Sequence, residues 1–243
     1  MKRKLKVIYE NKDLLVVDKP PFLITTKKKT IEKTLEELLL EEFPYLKQLG
    51  KQRRHGIIHR LDKETSGIVL VAKNKKAFDF FQKEFQERRV VKKYLALVVG
   101  KIQPKEGKIE TLIGRDPKDR KKRKAFLLLG PETKRKGKRK AETFYRIIKQ
   151  FFDGQNYFSL VEALPKTGRT HQIRVHLAFL GHPVIGDRLY RFKNQPNLPG
   201  IRRQFLHASY LKTKMPNGKI KEFRSEIPRD LKNILKNLKQ LNL

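Results

Sequence analysis

The chain has no cysteine and no tryptophan. Without cysteine, disulfides, thiol nucleophiles and cysteine-ligated metals are excluded together. Acidic residues are scarce beside basic ones: 25 Asp and Glu stand against 59 Lys and Arg, a formal net charge of +34 at pH 7. That excess goes beyond what solubility needs and points to a polyanionic partner, RNA or DNA. Also missing are any apolar run of about 18 residues and any basic amphipathic helix with large exposed aromatics, so no membrane association is expected. Met1-Lys-Arg-Lys-Leu-Lys6 carries positive charge but leads into no apolar segment of signal-peptide length, which makes a cytoplasmic location the expectation. Carboxylates are too scattered for a two-metal nuclease, and no glycine-rich loop ends in Lys-Ser/Thr to hold a nucleotide. A metal site is not expected either. His55 and His59 are four apart, but Gly56-Ile-Ile58 between them argues against a helix, and His171 and His176 are five apart and share no helical face.

With 243 residues, 38% of them apolar, the chain can build a real interior, either as one large domain or as two lobes sharing a core. Leu5–Tyr9 and Leu14–Asp18 are β-prone runs around the polar link Asn11-Lys-Asp13, which predicts a hairpin. Thr34-Leu-Glu-Glu37 predicts a capping box opening an amphipathic helix. Tyr45–Arg54 is a basic link, and Gly67–Ala72 is so continuously apolar that it predicts a strand covered on both faces. Asn74 can cap a helix over 75–88 whose Phe78, Phe81 and Phe85 form a core stripe. Strand character returns over Val90–Gly100, over Glu142–Gln150 and Tyr157–Leu164 around Asp153-Gly154, and over Phe205–Leu211 and Lys219–Phe223 around Pro216-Asn-Gly218. Thr170 is the expected cap of a helix ending at Leu180 before Gly181, and Leu231–Leu241 reads as a final basic helix.

Residues 115–140 carry two basic clusters, Arg120-Lys121-Lys122-Arg123-Lys124 and Lys134-Arg135-Lys136-Gly137-Lys138-Arg139-Lys140, separated by the apolar Ala125–Leu129. This pattern predicts a finger that grips RNA through phosphates, without reading sequence.

The stretch that organises the rest is His55–Gly67. It places Asp62 between Arg60 and Lys63 in a polar turn before the apolar strand, where neighbouring cations favour the ionised, nucleophilic carboxylate. His59-Arg-Leu-Asp-Lys-Glu-Thr-Ser-Gly67 resembles the active-site signature of the RluA family of RNA pseudouridine synthases. Thr167-Gly-Arg-Thr-His-Gln-Ile-Arg-Val-His-Leu177, His182-Pro-Val-Ile-Gly-Asp187 and Leu206-His-Ala208 are similar to later motifs of that family in the same order, and Lys19-Pro20 and Lys93-Tyr94 to two shorter ones. The family commonly has glycine shortly after the Lys-Pro pair, where this chain has Pro21 and Phe22, so the local turn is expected to differ.

The resemblance implies an α+β catalytic domain, built on a long mixed and mostly antiparallel sheet with flanking helices and a central cleft. It implies conversion of uridine to pseudouridine in ribosomal or transfer RNA by base flipping, with no cofactor and, for single-domain relatives, a monomer. Asp62 would be the catalytic residue, Arg174 its ion-pair partner, and Tyr94 a ring that stacks on uracil and relays a proton. Arg60 would occupy the space left by the flipped base. Arg169 and His171 would contact RNA, as would His59, which is expected to be structural rather than catalytic. Lys19-Pro20 comes almost at the start, so a single domain over 1–243 without a separate N-terminal RNA-binding domain is expected. The rival reading is a non-catalytic RNA-binding or ribosome-assembly protein, for which the set Asp62, Tyr94 and Arg174 would have no use.

Overall fold

One asparagine sets the first hairpin. In the computed structural model, which describes residues 4–26, 32–128 and 137–241, Asn11 Oδ1 accepts from the backbone N–H groups of Asp13 and Leu14 at 2.9 and 2.7 Å. These bonds turn β1 (Lys6–Glu10) into β2 (Leu14–Lys19). β2 pairs antiparallel with β3 (Ser66–Ala72), all of whose residues are buried. On its other edge β3 pairs in parallel with β9 (Leu206–Lys214), through Ser66 opposite His207 and Gly67 opposite Ala208. A Cβ on Gly67 would lie 2.3 Å from Ala208 O, so only glycine admits this approach. β10 (Ile220–Arg224) closes the series antiparallel to β9.

The helices of this unit start where the sequence predicts. Thr34 and Glu37 form the reciprocal capping box of α1 (Leu35–Glu42), and Asn74 Oδ1 accepts from Ala77 N at 2.8 Å to open α2 (Lys75–Gln86). Phe78 and Phe81 enter a core with Val16, Ile68 and Leu70, each buried ring contributing about 1.5–3 kcal/mol. Between α1 and β3, where the sequence indicates only a basic link, two short 3-10 helices cover Pro44–Leu49 and Lys51–Gly56.

The chain packs as two compact units. One takes the chain up to Lys92 together with His207–Glu226, and the other takes Lys93–Leu206 with the chain from Ile227 on. In the second unit β4 (Val91–Val99), β8 (Tyr157–Pro165), β7 (Arg139–Phe152), β5 (Glu106–Arg115) and β6 (Arg123–Phe126) lie side by side, all antiparallel. β5 has no counterpart in the sequence reading, because its partner β7 lies 30 or so residues further on. α3 (Gln172–Phe179) and α4 (Arg229–Lys236) pack onto a core containing Leu97, Phe158, Val161, Leu177, Phe205 and Leu231. The fold is α+β with mixed, mostly antiparallel pairing.

Two helix boundaries depart from expectation. α3 begins after His171, which is left-handed (φ 58°) and makes no side-chain cap, so Thr170 is not the cap. The turn is organised instead by Gln172 Oε1, which accepts from Thr167 Oγ1 at 2.7 Å and Arg169 N at 3.0 Å. At the C-terminus the helix ends at Lys236, and Lys239–Leu241 becomes β11, paired with Gln150–Phe152 of β7: an available strand edge outweighs the weak helical pattern.

Candidate active site

The turn bearing Asp62 is fixed from both sides by side chains of the preceding loop. Leu61 is held by Thr25, whose hydroxyl donates to Leu61 O at 2.8 Å and accepts from Leu61 N at 3.2 Å. Lys63 is held by Lys19, a lysine with no exposed surface. Its Nζ donates to Lys63 O at 3.1 Å, Leu23 O at 2.8 Å and Pro20 O at 2.9 Å. Thr65 N donates to Asp62 O at 3.1 Å and closes the turn. A buried ammonium is tolerable only when its protons find acceptors, and Pro20, Leu23 and Lys63 supply three carbonyls. Phe22, near where the family commonly has glycine, adopts φ 62°, so this turn is left-handed with a bulky residue in it.

His59 is committed within the first unit. Its Nε2 accepts from Leu70 N at 3.2 Å and its ring stacks on Phe85 at 4.9 Å. Burial, with Lys92 and Arg54 nearby, pushes its pKa down to about 3, so it is a neutral acceptor at pH 7. This fits a structural histidine. His55, the other member of the four-residue spacing, pairs with Glu36 Oε1 at 2.8 Å. Arg60 is exposed beside the turn.

In the second unit Tyr94 lies on β4 opposite Ala163, partly buried against the core. Arg174, 5% exposed, projects from α3 and grips Asp187 with a fork: Nε to Oδ2 at 2.6 Å and Nη2 to Oδ1 at 2.9 Å. Asp187 Oδ1 also accepts from Leu189 N and Tyr190 N. The Tyr190 ring lies 5.1 Å from the Arg174 guanidinium, and its hydroxyl is 2.8 Å from both His171 Nδ1 and Arg123 N. Tyr190 accepts from the Arg123 amide and thereby ties the start of β6 to the α3 terminus. The sequence reading gave no role to Lys19, Asp187 or Tyr190. The first two stand inside quoted motifs, and burial is the missing signal.

In the segment expected to form the finger, β5 and β6 pair as a hairpin through Leu112–Arg115 and Arg123–Phe126. Asp116 and Asp119 accept from the amides of Lys118 and Lys121 at 2.9 Å each, shaping a tip that exposes Lys118, Arg120 and Lys121, with Lys122 and Arg123 half-buried. Lys138 Nζ sits 4.3 Å over the Phe126 ring, and Arg139 and Lys140 are exposed. Lys140 is engaged within the chain: with Lys108 it holds the Glu110 carboxyl down at about 2. Arg169 Nε donates to Lys140 O at 3.0 Å. Leu129 and Lys134-Arg135-Lys136 of the expected finger lie outside the described residues. Beneath the finger, His176 is buried between Thr111 and Thr143 at 3.0 and 2.9 Å, and burial takes its pKa down to about 4.

The chain that holds the Asp62 carboxylate on a doubly clamped turn matches a known family. The model described as RNA pseudouridylate synthase matches residues 13–179, and the chain belongs to that family. An uncharacterized RNA pseudouridine synthase of Chloroflexus aurantiacus is 41% identical over 206 residues, covering 84% of this chain and 60% of that protein. The ribosomal large subunit pseudouridine synthase D of Nitrosomonas europaea is 36% identical over 244 residues, covering 98% of this chain and 66% of its own. The chain thus spans about six-tenths to two-thirds of these curated relatives. Among solved structures, human RNA pseudouridylate synthase domain containing 1 superposes with a TM-score of 0.76 at 31% identity, over 98% of this chain and 89% of that one.

Proposed function

We propose that the chain is an RNA pseudouridine synthase and that Asp62 is its catalytic carboxylate. The observation that carries this reading is the clamp of Lys19 and Thr25 on the residues flanking Asp62, which fixes the backbone of one carboxylate in a chain of this family. The reaction is an isomerisation. The C1′–N1 bond of uridine breaks, a C1′–C5 bond forms, C5 loses a proton and N1 gains one, so no oxidant or reductant is required. Asp62 initiates it, Tyr94 stacks on the uracil and relays the proton, and Arg174 supplies positive charge for the catalytic anion while Asp187 fixes its orientation. Arg60 fills the gap left by the flipped base. The exposed finger residues Arg120, Lys121 and Arg139, with Lys122, Arg123 and Lys138, bind RNA phosphates together with Arg169 and His171. The enzyme works as a monomeric single catalytic domain in the cytoplasm. Ribosomal RNA is the first substrate class to test, since relatives from Nitrosomonas europaea and Haemophilus ducreyi are named for the ribosomal large subunit; transfer RNA is the second.

The test is tritium release from RNA labelled at C5 of uracil, run on ribosomal and transfer RNA with wild type and Asp62→Asn. Release that disappears in the variant is expected. No release from either pool, with RNA binding intact, would replace this reading with a non-catalytic RNA-binding protein.

A further inference from the structure

A polar cavity of about 200 Å³ opens in the second unit between segments 186–191 and 195–202, lined by Asp187, Arg188, Arg191, Gln195, Asn197 and Arg202. Its walls are built rather than incidental. Gly186 has φ +76°, and a Cβ there would lie 2.1 Å from Arg203 O, so only glycine lets the two segments meet. Arg203, 1% exposed, is forked onto Asp230 at 2.6 and 3.2 Å, which anchors the far wall. Gln195 accepts from Phe192 N and donates to Val184 O, both at 3.3 Å, pinning the rim.

The cavity gathers charge of one sign. Three arginines elsewhere in this unit meet carboxylates, Arg146 on Glu162, Arg174 on Asp187 and Arg203 on Asp230, whereas among the described residues others, such as Arg120 and Arg139 of the finger, do not. Among the described residues, Arg188, Arg191 and Arg202 form no ion pair; Arg188 reaches only Arg202 O, at 3.5 Å. The one acidic group in the wall, Asp187, is 1% exposed and already saturated by Arg174 and two backbone amides. Arg188, Arg191 and Arg202 are exposed at the cavity wall, within reach of an anion from solvent, and their planar forks match phosphate oxygens two at a time. A volume of this size suits a single phosphate group and is small for a nucleobase with its sugar.

We propose that this cavity is an anion site that takes one phosphodiester of the RNA substrate, with Arg188, Arg191 and Arg202 as donors. The assignment rests on the RNA-modifying reading above and adds a contact that lies outside both the basic finger and the catalytic set.

The test is an RNA-binding titration over a salt series with three proteins. One is wild type. The second carries Arg188→Ala, Arg191→Ala and Arg202→Ala; the third carries Lys232→Gln, Lys236→Gln and Lys239→Gln and so loses the same number of charges elsewhere. Thermal melting checks that both variants are folded, and the single reversal Arg191→Glu substitutes if the triple arginine variant is not. The arginine variant is expected to bind about tenfold more weakly, with a salt slope lower by about one, while the lysine variant changes less than about twofold. Equal losses in the two triples would reduce the effect to bulk charge and overturn the site, as would an arginine variant indistinguishable from wild type. Inorganic phosphate, followed through the amide signal of Gly186, separates the sources. A phosphate-induced shift that vanishes in the arginine variant while RNA affinity stays intact would assign the cavity to a free anion and overturn the RNA assignment. The tritium assay is independent. Wild type that shows the expected binding differences but releases no tritium would remove the catalytic reading and leave the site standing.

Discussion

Two buried cations, Lys19 in the first unit and Arg174 in the second, anchor the residues expected to do chemistry, and they work by different means. The Lys19 ammonium gathers the Pro20, Leu23 and Lys63 carbonyls from two stretches of loop and so shapes the Asp62 backbone. Arg174 meets a carboxylate edge-on through two parallel bonds to Asp187, which fixes a side chain rather than a backbone. A compact point charge with three donors suits scattered carbonyls, whereas a planar fork suits a carboxylate. The two cations are therefore not interchangeable, although both count as one positive charge in the sequence.

The strongest way to break this comparison is Arg174→Met, which leaves Asp187 charged at 1% exposure; a loss of about 3–5 kcal/mol in urea denaturation is expected. Arg174→Lys should recover only part of it, because the fork is gone. Lys19→Met should cost about 3 kcal/mol by stranding three carbonyls, and Lys19→Arg should not rescue it, a result opposite in chemistry to the first. Full rescue by either conservative exchange would show that charge alone matters.

The two units can also be compared through their buried histidines. His176 has its pKa lowered from 6.5 to about 4 and His59 to about 3, so the unfolded chain takes up these protons at higher pH than the native one. Stability should be full above about pH 6.5 and fall as the pH drops from 6.5 towards 4, by up to about 3 kcal/mol for His176 alone. His176→Gln should flatten its share of that slope while leaving the share of His59. An unchanged slope would assign the pH dependence to other groups. The smallest effect belongs to Tyr190→Phe, which loses the hydroxyl shared by His171 and Arg123. About 1 kcal/mol is expected, with faster hydrogen exchange at the Arg123 amide as the local readout.

What the sequence discloses divides by range. Several interactions that close within four residues are legible: the Asn11 turn, the Thr34–Glu37 box, the Asn74 cap and the Asp153-Gly154 turn stand where residue chemistry puts them, while the Thr170 cap does not. The 3-10 helices of 44–56 lack the periodicity that would announce them. β5 and β11 exist because a partner edge is present, which no local pattern encodes. The candidate site behaves in the same way. Asp62, Tyr94 and Arg174 stand in motifs, while the reason for Lys19 appears only when its burial and its three carbonyls are known, and Tyr190 becomes visible only as a meeting point of β6 and α3.

The pairing of β3 has a consequence for how the protein is made. This strand carries the Asp62 turn at its start, is apolar from Gly67 on, and receives one neighbour early in synthesis and the other, β9, some 140 residues later, with Ser66 bonded to His207 across that interval. On the ribosome the start of β3, Ser66 and Gly67, therefore waits for β9 until most of the chain is made, while its far half is already bonded by Ile57, Ile58 and His59 through Val71 and Leu70. Chains cut short before 207 are expected to lack the β9 pairing at the start of β3 and to yield no smaller working catalyst, so roughly the last sixth of the chain completes the strand that bears the candidate active site.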